Sequence, residues 1–225
     1  MDRKVARNPL LHIASTVIGY FKGQREMKII LTTITLLWLS NISFGQTIVS
    51  GEYDSGLKLA YDSITNKLTG YFENYTGLDE ETGNPKFSCI FYIQGTVTAR
   101  QFTVDTYYPN DSSDIIKGNI QIINDKSASI KLAEEHRGCW NVQHFADDQE
   151  KFSLEKHIAW TQIRFITSYK TYFYSDKSIN KKLKSYIVKN DFVCIYKIEG
   201  DWAYCTYYGK TITKGWIKTA DLNKI

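Results

Sequence analysis

The chain is predicted to fold as two all-β domains, an up-and-down β-barrel followed by a smaller β-barrel, and three observations carry that expectation. A chain of 225 residues that is 43% hydrophobic and 14% aromatic has the material for more than one core. Its aromatic content is mainly 16 Tyr and 11 Phe, residue types that fit a pleated, half-buried surface, whereas sustained runs with a 3.6-residue period are few. Short apolar segments with turn residues between them recur along the chain, which is the pattern of antiparallel strands.

Residues 46–155 read as a meander of eight strands: Gly51 to Tyr53, Leu57 to Tyr61, Leu68 to Glu73, Phe87 to Gly95, Gln101 to Tyr107, Gly118 to Ile123, Ser129 to Leu132 and Phe152 to Leu154. Even spacing of short strands favours closure into an up-and-down barrel. Residues 156–160 are assigned to a linker, and 161–225 to the second domain. Its expected strands are Ile163 to Ile166, Tyr172 to Tyr174, Ser185 to Val188, Phe192 to Ile198, Trp202 to Tyr207 and Gly215 to Ile217. Gly200-Asp201 and Gly209-Lys210 supply tight turns, where tolerance of positive φ is useful.

In the second domain the order Tyr-Phe-Tyr-Ser (172–175), Tyr-Ile-Val-Lys-Asn-Asp (186–191), Gly-Asp-Trp (200–202) and Thr-Lys-Gly-Trp-Ile (213–217), with Asp221-Leu222, resembles the bacterial SH3-like (SH3b) family across 161–223. Asn190 stands where that family more often has Gly, a mild departure because Asn also tolerates the left-handed region. The resemblance implies a binding module of the cell envelope that takes peptides or peptidoglycan stems through exposed aromatics. Tyr172, Tyr174, Trp202, Tyr207, Tyr208 and Trp216 are the candidate contacts, because flat rings give contact area at low entropic cost. The competing reading has Trp202 and Trp216 closing the barrel. Lys181, Lys182 and Lys184 read as a basic loop, and Lys182 joins the candidate binding set for anionic groups.

The first domain, with its Gly-x-aromatic start at Gly51 and Leu-Thr-Gly-Tyr-Phe-Glu at 68–73, is similar in pattern to calycin barrels of the avidin type. Biotin binding is not implied, since Trp140 is the single Trp of the segment. A barrel of this kind offers a mouth for a small ligand, or loops that block another protein, as small secreted barrels that inhibit lysozyme do.

At the front, Met27-Lys28, an apolar run from Ile29 to Leu39 and small residues at Ser43 and Gly45 describe a secretory signal peptide over 27–45, cleaved after Gly45. Residues 1–26 then read as an over-annotated leader. An apolar run of this length is short for a membrane span, and an uncleaved anchor is the alternative. The expected location is periplasmic or extracellular, with nucleic acid excluded as a partner. Export permits disulfides. Cys89–Cys139 is the expected bridge; a Cys194–Cys205 bridge is less favoured, because alternation turns Cys194 away from inward Val193 and Ile195.

Charge is segregated. Residues 46–155 hold 9 Lys/Arg against 17 Asp/Glu, a net of −8, and residues 156–225 hold 13 against 5, a net of +8. Either the halves dock on each other, or each is free for a partner of opposite sign, an anion for the basic end and a cationic protein such as a lysozyme-like hydrolase for the acidic one.

The densest chemistry is Glu134 to Asp148, with two His, one Cys and four carboxylates. His136, Cys139 and His144 supply zinc donors, but at no standard spacing, and Cys139 has a rival use in the bridge. A Cys–His nucleophile there lacks any sign of a base held close. The favoured reading is a disulfide-tethered loop that caps a barrel end or presents a recognition surface. Phosphate-cradling loops, nucleophile elbows and paired catalytic carboxylates are missing from the sequence. The expectation is therefore a binding protein that is not an enzyme and uses no cofactor, with a hydrolase inhibitor or immunity-type protein as the alternative.

Overall fold

A computed structural model describes residues 48–98 and 101–225; the expected leader and signal peptide lie outside the described residues. Eight strands form a closed antiparallel barrel: β1 (Gly51–Tyr53), β2 (Leu57–Asp62), β3 (Lys67–Leu78), β4 (Pro85–Thr98), β5 (Gln101–Tyr108), β6 (Asp111–Asn124), β7 (Ser127–Leu132) and β8 (Glu150–His157). Each strand pairs with its predecessor, and β8 returns to β1 with Tyr53 opposite Leu154. Among the described residues no helix is long and apolar enough to cross a membrane.

The two-residue period of a strand sorts the side chains. Leu57 and Leu59, Leu68 and Phe72, Phe91 and Ile93, Phe102 and Val104 and their equivalents on later strands point into one buried core. Gly70 sits between Leu68 and Phe72 on that face because a Cβ there would come within 2.5 Å of the Lys58 carbonyl oxygen. The lumen is filled at one end by interlocked rings. Phe72 lies 5.4 Å from Phe91 and 4.9 Å from Phe145, and Phe145 is 6.2 Å from Phe152. Phe145 belongs to the loop between β7 and β8, so that loop closes the barrel end that the sequence offered as a ligand mouth.

Several strands, β3, β4, β6 and β8 most of all, run further than the sequence suggested. β3 and β4 stay paired out to Leu78–Pro85, forming an arm whose tip is tied by the Asp79 carboxylate accepting the Thr82 amide at 3.0 Å. The outer part of the arm is exposed and polar on one side, so it carries no apolar alternation to read.

The second unit is one six-stranded antiparallel sheet in the order β11-β10-β14-β13-β12-β9. Its strands are β9 (Gln162–Phe165), β10 (Lys170–Tyr174), β11 (Lys182–Val188), β12 (Phe192–Glu199), β13 (Trp202–Tyr208) and β14 (Ile212–Lys218). The hydrogen-bonded ladder does not close into a ring: β9 and β11 are its edges. Its inner face gathers Ile166, Phe173, Ile187, Val193, Ile195, Ala203, Cys205 and Ile217 into a core of its own. Residues from β10 to β14 meet there with Ile166, which follows β9, so the sheet must curl around them.

The edge strand β9 lies on the outer wall of the barrel. A bare edge exposes N–H and C=O groups that invite pairing with another chain. Here the Ile163 N–H donates to Thr69 Oγ1 at 2.8 Å, and the Tyr92 hydroxyl donates to the Ile163 carbonyl at 2.9 Å. Phe165 N–H donates to Asn223 Oδ1 at 2.9 Å. Around these bonds Tyr71 stacks on Phe192 with centroids 4.2 Å apart, Tyr92 meets Phe165 edge-on at 5.2 Å, and Ala60, Trp160 and Cys194 complete an apolar seam. The segment read as a linker is therefore packed rather than loose: β8 reaches His157, Ile158 N–H donates to the Ser50 carbonyl at 3.0 Å, and Trp160 is buried.

The halves do dock on each other, but not through charge. Among the described residues every ion pair joins groups of the same half. The opposite net charges are left unspent.

Removing the Tyr92 hydroxyl (Tyr92→Phe) leaves a buried carbonyl without its donor and should cost about 1–2 kcal/mol in urea unfolding, whereas Trp160→Ala should cost about 3–5 kcal/mol. Wild-type stability in both variants would contradict the seam described.

Candidate functional site

The outer face of the second sheet is divided. The half made by Ile163, Phe192, Cys194 and Tyr208 lies under the barrel. The other half is open, and register builds an aromatic row across it. On β11 and β10, Tyr186 stands opposite Tyr172 with rings 6.1 Å apart. Tyr174 stands opposite Trp216 and turns its ring edge to Trp202 at 4.9 Å. Trp216 lies 5.2 Å from Tyr204, which lies 6.1 Å from Tyr196.

Lysines cover this row. The Lys218 ammonium sits 3.7 Å from the Trp202 ring centre, Lys182 is 3.8 Å from Tyr172, and Lys170 is 3.7 Å from Tyr186. Lys177 and Lys197 approach Trp216 from 5.4 and 5.2 Å. Cations over ring faces are attracted by the quadrupole, and their methylene stems shield the rings from water. That explains why Trp202 and Trp216 are only 9% and 8% exposed although neither belongs to the inner core. They do not close a barrel; they lie on its outside under lysine. Glu199 is the acidic group among these lysines, and its bonds to Lys177 and Lys197 pull its carboxyl down to about 2.

Of the residues singled out from sequence, Tyr172, Tyr174, Trp202, Trp216 and Lys182 share this open face. Tyr207 and Tyr208 do not: Tyr207 packs against the inner core and Tyr208 meets Trp160 at 5.8 Å. Lys182 and Lys184 lie on β11 rather than in a basic loop, because the strand starts at Lys182, three residues before its expected start. Tyr186, Tyr204, Lys170, Lys177, Lys197 and Lys218 were missed, while Tyr196 packs against the seam. The alternation Trp202-x-Tyr204 signals the second ring; the lysines become visible only through cross-strand register.

The Glu134–Asp148 segment forms the barrel cap. Cys139 is bonded to Cys89, which removes its sulfur both as a metal ligand and as a nucleophile. His136 is 2% exposed, stacks on Phe91 at 4.7 Å, and its Nε2 is 2.8 Å from Thr106 Oγ1. Burial pushes its imidazole down to about 4, the charge of Asp114 opposing this weakly. His144 lies outside, 3.6 Å from Asp147 and edge-on to Trp140 at 4.9 Å. The zinc set His136, Cys139 and His144 is thus not assembled. Cys194 and Cys205 are free and buried on opposite faces of their sheet, Cys194 in the seam and Cys205 in the inner core, so they cannot pair; burial pushes both thiols up.

No protein-family model matches the chain, and neither the curated proteins nor the solved structures contain a match.

Two measurements check the cap. The bridge closes residues separated by 50 positions, and Cys89→Ser with Cys139→Ser should cost about 4 kcal/mol on the chain-entropy argument; a loss near zero would contradict it. Because folding holds His136 neutral, the unfolded chain binds its proton first. Stability present above pH 6.5 should fall, by up to about 3 kcal/mol, as pH drops towards 4. A His136→Gln variant should lose that part of the pH dependence in paired urea titrations, and an unchanged profile would refute the assignment.

Proposed function

We propose that the protein is an exported, non-enzymatic binding protein of the cell envelope, and that the open aromatic–lysine face of its second sheet docks on a peptide, peptidoglycan or protein partner carrying negative charge. The observation that carries this reading is the continuous row Tyr186, Tyr172, Tyr174, Trp216 and Tyr204 roofed by lysines on a half of the chain with net charge +8. Rings supply stacking area for sugars or side chains, and lysine ammonium groups displaced from those rings can meet carboxylates or phosphates. The resemblance of residues 161–223 to the SH3-like family supports the same reading. The Cys89–Cys139 bridge is compatible with an oxidising compartment.

A second reading rests on a different observation. At the capped end of the barrel Trp140 is 58% and Leu78 70% exposed, with Phe87 beside them and Asp79, Glu80 and Glu81 at the arm tip. Large exposed apolar side chains rimmed by charge mark protein interaction sites. On a half of the chain with net charge −8, and with the likeness to calycin barrels, this end suits the blocking of a cationic hydrolase such as a lysozyme.

Cosedimentation with insoluble peptidoglycan tests the first reading. The wild type should pellet in a salt-sensitive way, and Tyr172→Ala with Lys182→Gln should weaken the affinity at least about tenfold, as loss of about 1.4 kcal/mol predicts. Retention unaltered in that variant, or no retention of the wild type, would overturn it. Inhibition of lysozyme turnover that Trp140→Ala relieves would establish the second reading instead.

A further inference from the structure

Where the second sheet leans on the barrel, a cleft of about 710 Å³ opens beside the seam. It is separate from the aromatic–lysine face and is bordered by Arg137 and Gly138 of the barrel cap. Its apolar wall is the stacked pair Tyr71 and Phe192, continued by Tyr207 and Tyr208. Two carboxylates line it, one from each half: Glu73 on β3 and Asp191 at the turn before β12. Glu73 accepts a hydrogen bond from the Tyr75 hydroxyl, and Asp191 Oδ2 accepts the Val188 amide at 2.9 Å. Among the described residues neither is in an ion pair.

The two acids share a neighbourhood. The Tyr207 hydroxyl is pushed up first by burial, then by the charge of Asp191 and a hydrogen bond to it, and also by the charge of Glu73. Tyr207 keeps its place because Gly209 has no side chain: a Cβ there would stand 2.5 Å from Tyr207 Cε1. The turn at the rim holds Asn190 at φ 74°, and its Oδ1 is buried without a donor. A buried acceptor without a donor calls for a partner, and a bound group is one way to supply it. Arg137 is the one basic side chain of the lining.

We infer that this cleft is a binding site for a small organic cation, an ammonium or guanidinium group on a short carbon chain, held between Glu73 and Asp191 against the tyrosine rings. Its volume falls in the range of small-molecule sites, which favour joints between domains. A cation gains a charge-assisted bond from each carboxylate and attraction to the ring faces. In the lining itself an anion would meet two carboxylates and one guanidinium, while Lys58, 5.3 Å from the Tyr71 ring centre, is offset by Glu52 acting on the same ring. Because each half contributes one acid, the site exists only while the halves are docked.

The test uses the full chain, with agmatine as the cation and 1,5-pentanediol as a neutral control, followed by tyrosine ring resonances or intrinsic fluorescence. Agmatine should saturate in the millimolar range or below, more weakly as salt rises, while pentanediol gives no saturable change. Loss of a charge-assisted bond means that Glu73→Gln and Asp191→Asn should each weaken agmatine binding at least about tenfold. Asn at 191 retains an acceptor for the Val188 amide, and Glu73→Gln lies on the other half, so the two variants check each other against misfolding. Lys184→Gln, on β11 away from the lining, should bind as the wild type does. Absence of saturation, equal response to pentanediol, or agmatine binding unaffected by both carboxamide variants would overturn the assignment.

Discussion

The organisation of the molecule depends on the way strand β9 meets the barrel wall. A strand at the edge of a sheet has half its backbone groups unpaired, and here those of Ile163 are taken up by two barrel side chains, Thr69 and Tyr92. Side chains rather than a ninth strand complete the edge, so the barrel stays closed and the second sheet keeps its own core. The surrounding rings exclude water, which makes each of these bonds costly to break without replacement. One joint thus protects an edge, orients the second sheet and decides which part of its outer face is covered.

That choice shapes what remains available for binding. Covering the Cys194 and Tyr208 side leaves the Trp216 and Tyr172 side in solvent, where lysine stems roof the rings. The seam is apolar, so the charges of the two halves do not neutralise each other across it. The basic half and the acidic half each keep their own field. The disulfide does a complementary task, pinning the cap loop that holds Phe145 in the barrel core and His136 buried against Phe91.

Much of this was legible in the sequence, for reasons that differ by element. The eight barrel strands announced themselves because one face of each is buried, as in Leu57-x-Leu59 and Phe91-x-Ile93. The Cys89–Cys139 bridge followed from the expectation of export and from an even cysteine count. The long arm of β3 and β4 was invisible, since backbone pairing beyond the core leaves no apolar period. Trp202 and Trp216 were rightly placed on strands, yet whether they closed a core or lay outside it depends on register, which one sequence does not display. Tyr207 and Tyr208 are adjacent on β13 and so must face opposite sides; both were grouped with the open-face rings, and neither lies there. Cys194 was read as outward, and so it is with respect to its own core, but the barrel buries it. Sites built by two halves, such as the cleft between Glu73 and Asp191, leave no local motif at all.

The claim that the edge of β9 is sealed by the barrel is most directly tested by native-state hydrogen exchange at the Ile163 amide. Protection comparable to that of barrel-core amides such as Phe91 and Ile93, and collapsing in Thr69→Val while the barrel stays protected, is the result this account predicts. Exchange of the Ile163 amide at the rate of a fraying edge strand in the wild type would contradict it.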